Sequence, residues 1–323
     1  MTLKTKIAIG LLTAGCFYLL SAQRGGGASE TWWTHKTEGG VYKTPMRPRW
    51  KLSDLKNMHA GEDSWSEQII LDPEQDVTYN SGAPGSEYSR RLHPDTHTLF
   101  VVIAGQVTFD VEGHEPVAAK RGSLVNILKS TVFSYAVTGE ENALWVEVNP
   151  TNYKTAYPSD DPAPEAIPGG DVVKISFNHT PPAYPEGNQP HWNLFDAVET
   201  CDIGGARVNV DGVFANPIYG FANEGDPLNN CPQARVRPTP SGDFDPESTF
   251  GHMHAGPAEW WIVQVGGIQG RFENAGEFHA VEGDVLYAAP MTWHQMGFKG
   301  SGPSCRLAMG GYRLINMGNT AGQ

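Results

Sequence analysis

The chain has 323 residues with 36 acidic and 23 basic side chains, a formal net charge of −13. With 39% hydrophobic and 18% charged residues it has globular rather than disordered content, and its length allows about two domains. The acidic balance argues against a nucleic-acid partner. The 37 glycines and 24 prolines, without sustained heptads, argue against a coiled coil or helical bundle and for a turn-rich β protein.

Lys4 and Lys6 precede a nearly unbroken apolar run of 14 residues from Ile7 to Leu20. That run is too short for a comfortable membrane span, and Leu20-Ser21-Ala22 offers a small residue for cleavage. Residues 1–22 therefore read as a secretory signal peptide, which implies a periplasmic or extracellular protein. Thr13-Ala14-Gly15-Cys16 also resembles a lipobox, so lipid anchoring at Cys16 is the alternative, although Thr13 stands where leucine is usual. Cleavage would remove two lysines and no acid, taking the formal charge to −15. No later run is long and apolar enough to span a membrane. Residues 23–65, with Trp32, Trp33, Trp50 and many basic residues, read as an N-terminal arm packed onto the domains that follow.

Two stretches then match at a fixed offset of 161 residues. His93 maps onto His254, Phe100-Val101-Val102 onto Trp261-Ile262-Val263, Gly105 onto Gly266, Gly122 onto Gly283 and Thr131 onto Thr292, without a gap. So many matches in register mark two copies of one unit. The first copy predicts strands over Thr98–Ile103, Gln106–Val111 and Ser123–Leu128. The second predicts them over Glu259–Val265, Ile268–Phe272 and Asp284–Ala288. Short β-branched and aromatic runs broken by Gly or Asn predict an all-β sandwich or barrel. Tyr157 to Gly170, crowded with Pro, Asp and Gly, reads as the linker, with one unit over residues 66–165 and the other over 166–323. Cys201 and Cys231 flank a loop-like stretch and are the favoured disulfide pair; three separate buried thiols, with Cys305, are the alternative. No C-x-x-C pair exists to support a thiol redox motif or a zinc knuckle.

The second copy carries the chemistry. His252 and His254 are two residues apart, so on a strand both point to one face. Glu259 opens the next strand, and His294 would come from across the cavity. Three imidazoles and a carboxylate make a site for one divalent transition metal, Fe, Mn or Cu ahead of Zn or Ni. Four protein ligands on an octahedral ion would leave about two positions for substrate, water or O2. By alternation, Trp261 and Val263 face inward with Glu259, whereas Trp260, Gln264 and Gln295 face outward. Tyr287, Met291, Trp293, Met296 and Phe298 lie on or near the His294 strand, and no arginine is evident beside the metal. The predicted substrate pocket, Trp261, Val263, Tyr287, Met291, Met296 and Phe298, is apolar and aromatic and suits a hydrophobic small molecule.

These residues resemble the cupins. The pattern G-x5-H-x-H-x3,4-E-x6-G is met by His252, His254, Glu259 and Gly266, with Pro246 in place of the leading glycine. The pattern G-x5-P-x-G-x2-H-x3-N is met by Gly283 and His294, while Ala289, Met291 and Phe298 depart from it. The resemblance implies two tandem double-stranded β-helix (jelly-roll) barrels, a bicupin over roughly 66–323, with a mononuclear metal in the mouth of the second. In the first copy the ligand positions hold Arg91, His93, Thr98 and Phe133, so only one ligand survives and a structural barrel without metal is expected. Arg90, Arg91, His93 and His97 are expected to lie on a solvated loop.

Three functions compete. The first is an O2-dependent dioxygenase of an aromatic or hydrophobic substrate, as the resemblance to flavonol and gentisate-type dioxygenases implies, with Glu259 as a candidate base. The second is a metal-dependent isomerase, lyase or decarboxylase without O2. The third is a non-catalytic binding cupin, against which the two open metal positions count. The fold alone does not separate them, and the aromatic wall favours the first. Bicupins often associate, so a homo-oligomer is expected, although no interface is visible in the sequence.

Overall fold

The computed structural model describes residues 38–161, 173–176, 180–184, 189–193, 233–238, 251–254, 258–298, 305–310 and 316–318. The leader at 1–22, with Cys16, and also Trp32, Trp33, Cys201 and Cys231 lie outside the described residues.

Among the described residues the regular structure is strand, apart from one helix. A short strand, β1 (Arg49–Trp50), and one helix, α1 (Leu52–Met58), precede β2 (Trp65–Leu71), β3 (Gln75–Gly82) and β4 (Glu87–Arg91). Then come β5 (Thr98–Ala104), β6 (Gln106–Val111), β7 (Val117–Lys120), β8 (Ser123–Ile127), β9 (Phe133–Val137) and β10 (Ala143–Pro150). The short strands β11 (Tyr157–Pro158), β12 (Lys174–Ile175) and β13 (His191–Asn193) lead to β14 (Gln233–Pro238). The second copy continues with β15 (His252–His254), β16 (Glu259–Val265), β17 (Gly267–Phe272), β18 (Gly276–Val281), β19 (Val285–Ala288), β20 (His294–Phe298), β21 (Cys305–Gly310) and β22 (Asn316–Gly318). The predicted strands stand within a residue at each end.

Each copy is a pair of sheets. A six-stranded sheet, β13-β8-β5-β10-β3-β2, is matched with a four-stranded one, β4-β9-β6-β7. In the second copy a five-stranded sheet, β1-β19-β16-β21-β14, is matched with another, β18-β17-β20-β15-β22. Two arm residues, Arg49 and Trp50, thus extend a sheet of the second copy, and His191–Asn193 extend one of the first.

The sequence repeat is a repeat of register. β4 sets Arg91 opposite Phe133, and β15 sets His252 opposite His294. β10 sets Glu147 opposite Phe100, and β21 sets Ala308 opposite Trp261. Positive backbone φ recurs at the same offset: Gly105 (69°) with Gly266 (65°), Gly113 (81°) with Asn274 (65°), Gly122 (81°) with Gly283 (82°), and Ser130 (62°) with Met291 (59°). Gly105 is required twice over, because a Cβ there would also come within 2.7 Å of the Ala143 Cα.

Strand patterning explains which faces are covered. β6 alternates, with Val107, Phe109 and Val111 buried and Asp110 exposed, the pattern of a sheet with one wet face. Apolar β5 is buried on both faces because the second barrel covers its outer side. Phe100, Phe109, Phe133 and Trp145 fill the first barrel; Trp261, Val263, Ile268 and Phe272 fill the second. The largest core lies between the barrels, where Tyr79, Val101 and Ile103 meet Trp260, Ile262 and Tyr287. Each such side chain contributes roughly 1.5–3 kcal/mol by burial.

Two buried polar side chains of the second barrel find partners across that interface. The Trp260 indole N–H donates to Gln75 Oε1 at 2.6 Å, and the Tyr287 hydroxyl donates to Asp72 Oδ2 at 3.0 Å. Trp260 and Gln264, outward by alternation, are therefore buried in the contact between barrels rather than wetted. The arm contributes to the same core. Trp50 is buried, and its indole N–H donates to Ile69 O at 2.9 Å. Arg49 pairs with buried Asp284 at 2.7 Å, and Asp284 Oδ1 also accepts from the Leu52 N–H.

Candidate metal centre

β15 and β20 are hydrogen-bonded neighbours, so His252 and His294 stand side by side across the ladder. His254 follows His252 by one strand period, and Glu259 opens β16 on the facing sheet. The four side chains place one donor atom each within 4.8 Å of one another. Glu259 Oε2 is 2.6 Å from His254 Nε2, 3.3 Å from His294 Nε2 and 3.6 Å from His252 Nε2; the Nε2 atoms of His294 and His252 are 3.1 Å apart. Metal–nitrogen and metal–oxygen bonds of about 2.0–2.2 Å give cis donor separations of about 3 Å. The donor set therefore fits one transition-metal ion. His294 Nδ1–H donates to Thr292 O at 3.0 Å, which leaves the Nε2 lone pair for the ion.

Three of the side chains are buried, whereas the His252 side chain is 35% exposed, so among the described residues the site is open on the His252 side. Burial by itself would push the Glu259 carboxyl up. The close contacts with the His252, His254 and His294 side chains outweigh it and hold the group well below the ordinary carboxylate value. Glu259 is thus an anionic donor at neutral pH.

The wall behind these donors is apolar. The Trp261 ring lies 5.2 Å from the His294 ring, and Phe272 lies 6.1 Å from it. Val263 is buried in the same cluster, and Met296 packs against it. Met291 sits on the turn between β19 and β20, where its N–H donates to His254 O. Tyr287, expected from the sequence to line this pocket, lies on the opposite face of β19 and points to Asp72 between the barrels. Its neighbours Leu286 and Ala288 face the pocket instead. The side chain of Phe298 lies outside the described residues. Strict alternation along β17 and β19 would have found Phe272, Ile268, Leu286 and Ala288, which sequence reasoning missed. It also missed Arg306, a buried arginine opposite inward-facing Val263 on β21. Arg306 stands four residues along the strand from Gly310, the partner of Glu259, about 13 Å deeper than the metal donors.

The first barrel has a different polar centre at the equivalent place. His93, expected on a solvated loop, is buried instead, and the Arg91 side chain, expected there too, is turned inward and only 13% exposed. Arg91 pairs with Glu147 at 3.2 Å and stacks over the Phe133 and Tyr135 rings. Glu147 occupies the register position that Ala308 holds in the second barrel. An internal guanidinium–carboxylate pair therefore stands where the second copy gathers its metal donors. Arg90 is on the surface, paired with Asp161, and His97 accepts a hydrogen bond from the Lys129 N–H.

His93 donates through Nδ1 to Lys154 O at 3.0 Å. Burial, reinforced by the Arg91 charge, lowers its imidazole from 6.5 to about 4. The unfolded chain binds this proton more readily, so the stabilisation is full above pH 6.5 and is lost as pH falls through about 4. The loss is expected to reach about 3 kcal/mol. Urea unfolding at pH 7 and pH 4.5 tests this: His93→Gln should flatten the slope, and an unchanged slope would refute it.

No family profile matches the sequence, and no curated protein matches it. Solved structures do. Salicylate 1,2-dioxygenase from Pseudaminobacter salicylatoxidans is 12% identical with a TM-score of 0.56, over 84% of this chain and 85% of that one. A point variant of that enzyme is 13% identical with a TM-score of 0.55 and the same coverage. A further structure of the variant, in complex with gentisate, is 12% identical with a TM-score of 0.54 over 87% of each chain. Likeness at this identity is likeness of fold. Two repeated jelly-roll barrels, with a His-His-Glu-His donor set in the C-terminal copy, give this chain the fold of the cupin superfamily in its two-barrel form.

Proposed function

We propose that the chain is an exported mononuclear metal-dependent dioxygenase acting on an aromatic or hydrophobic small molecule. One observation carries this reading: four donors converge in a barrel mouth, open on one side and backed by Trp261, Phe272 and Met296. His252, His254, Glu259 and His294 would hold a redox metal, which would supply Lewis-acid and one-electron chemistry toward O2. The chain's own residues do the rest. His252, His254 and His294 present Nε2, and Glu259 supplies the negative charge; held below the ordinary carboxylate value, it is a weak base for a substrate proton. The Trp261 and Phe272 rings exclude water and favour a flat apolar substrate. The two-barrel fold shared with salicylate 1,2-dioxygenase supports the class of reaction.

Elemental analysis of protein purified without chelator, followed by O2 uptake with salicylate and gentisate as probes, tests it. About one Fe, Mn or Cu per chain with substrate-dependent O2 consumption is expected. Zinc or nickel without O2 uptake would move the reading to isomerase or lyase chemistry, and no metal to a binding role. Export is tested by sequencing the mature N-terminus, expected to begin at Gln23.

A further inference from the structure

We propose that the N-terminal arm acts as a clamp on the metal centre, and that Thr292 is the positioning residue through which it holds His294. This inference rests on the metal reading above. The turn between β19 and β20 carries three fixed contacts. Its Met291 N–H donates to His254 O at 2.8 Å, its Thr292 N–H donates to Ala289 O at 3.1 Å, and its Thr292 carbonyl accepts from His294 Nδ1 at 3.0 Å. One backbone turn thus ties two metal donors together. The arm holds that turn from outside. The Gly40 N–H donates to Thr292 Oγ1 at 3.1 Å and to Pro290 O at 3.2 Å. Tyr42, two residues on, packs against both the inter-barrel core and the core of the second barrel. The approach is tight: a Cβ on Gly40 would lie 2.5 Å from the Ala289 Cβ.

The first barrel supplies an internal control. Its turn is the same, with Ser130 at φ 62°, Ser130 N–H donating to His93 O at 2.7 Å and Thr131 N–H donating to Leu128 O at 3.2 Å. Among the described residues, no arm backbone reaches that turn, and the buried Thr131 hydroxyl has no hydrogen-bond partner. The copy with the full donor set is the one whose threonine is engaged. Groups that hydrogen-bond a metal ligand directly, as the Thr292 carbonyl does, typically set metal affinity by about 10–100-fold, and the arm acts on the residue that carries that group.

Co(II) titration of the full-length protein against a chromophoric chelator tests the clamp, with the Co(II) d–d spectrum and thermal unfolding of the metal-free protein read in parallel. Thr292→Val, which keeps the carbonyl but loses the hydroxyl, should weaken Co(II) binding several-fold and shift the d–d bands, at an unchanged metal-free unfolding midpoint. Thr292→Ser, which keeps the hydroxyl, should restore both. Gly40→Ala should weaken binding in the same direction, and Thr131→Val should bind as wild type does. Wild-type affinity and spectrum in Thr292→Val would overturn the clamp alone, as would failure of Thr292→Ser to rescue it. A wild-type protein that binds no Co(II) would overturn the metal reading and the clamp with it.

Discussion

Replacing His294 by alanine is expected to remove stoichiometric metal while leaving the two-barrel fold intact. His294 Nε2 is 3.1 Å from His252 Nε2 and 3.3 Å from Glu259 Oε2, so it occupies one vertex of a four-donor set. Loss of that vertex leaves His252 exposed on the open side, with His254 and Glu259 bound to each other at 2.6 Å. A histidine–carboxylate pair plus one partly exposed imidazole holds a divalent ion far less tightly than four converging donors. The fold should survive because the cores between and within the barrels rest on other side chains. The check is metal per chain in wild type and His294→Ala purified side by side. One ion per chain in the variant would sink the ligand assignment.

Phe133→Ala, at the same register position in the first barrel, should do the reverse. It should cost roughly 3–5 kcal/mol of stability and leave metal content unchanged. Phe133 is buried, with Phe100 at 5.8 Å and His93 at 5.6 Å, and the Arg91 guanidinium lies 4.9 Å from its ring centre. Truncation would open a cavity beside the Arg91–Glu147 pair, which burial now shields. Denaturant unfolding and metal analysis of the same preparation check both halves. Loss of metal from Phe133→Ala would place the first barrel in the metal-binding machinery.

The sequence carried a good deal of this. Period-2 runs of β-branched and aromatic residues, punctuated by Gly105, Gly122, Gly266 and Gly283, are local signals, and the strands formed where those signals lie. The offset between copies translated directly into register, because equal spacing between turns forces equal pairing of strands. The i, i+2 spacing of His252 and His254, with Glu259 and His294 at set distances, marked the donor set for the same reason.

What covers each strand face was decided only in the tertiary structure. Alternation says that Trp260 faces away from Trp261; it does not say that another barrel waits there. Trp260 meets Gln75 and Tyr287 meets Asp72 across separations of 185 and 215 residues. The arm is a similar case: nothing local in Gly40 or Trp50 foretells that one would touch the turn before His294 and the other fill the core between the barrels. Arg91 reads as a loop cation until Glu147, 56 residues on, is folded against it. By itself the sequence determined the strand period, the repeat and the four donors, because these depend on spacing along one chain. The tertiary structure alone decided the pairing of Arg91 with Glu147, the meeting of Tyr287 with Asp72 and the contact of the arm with Thr292, because such pairings depend on segments whose approach no local spacing encodes.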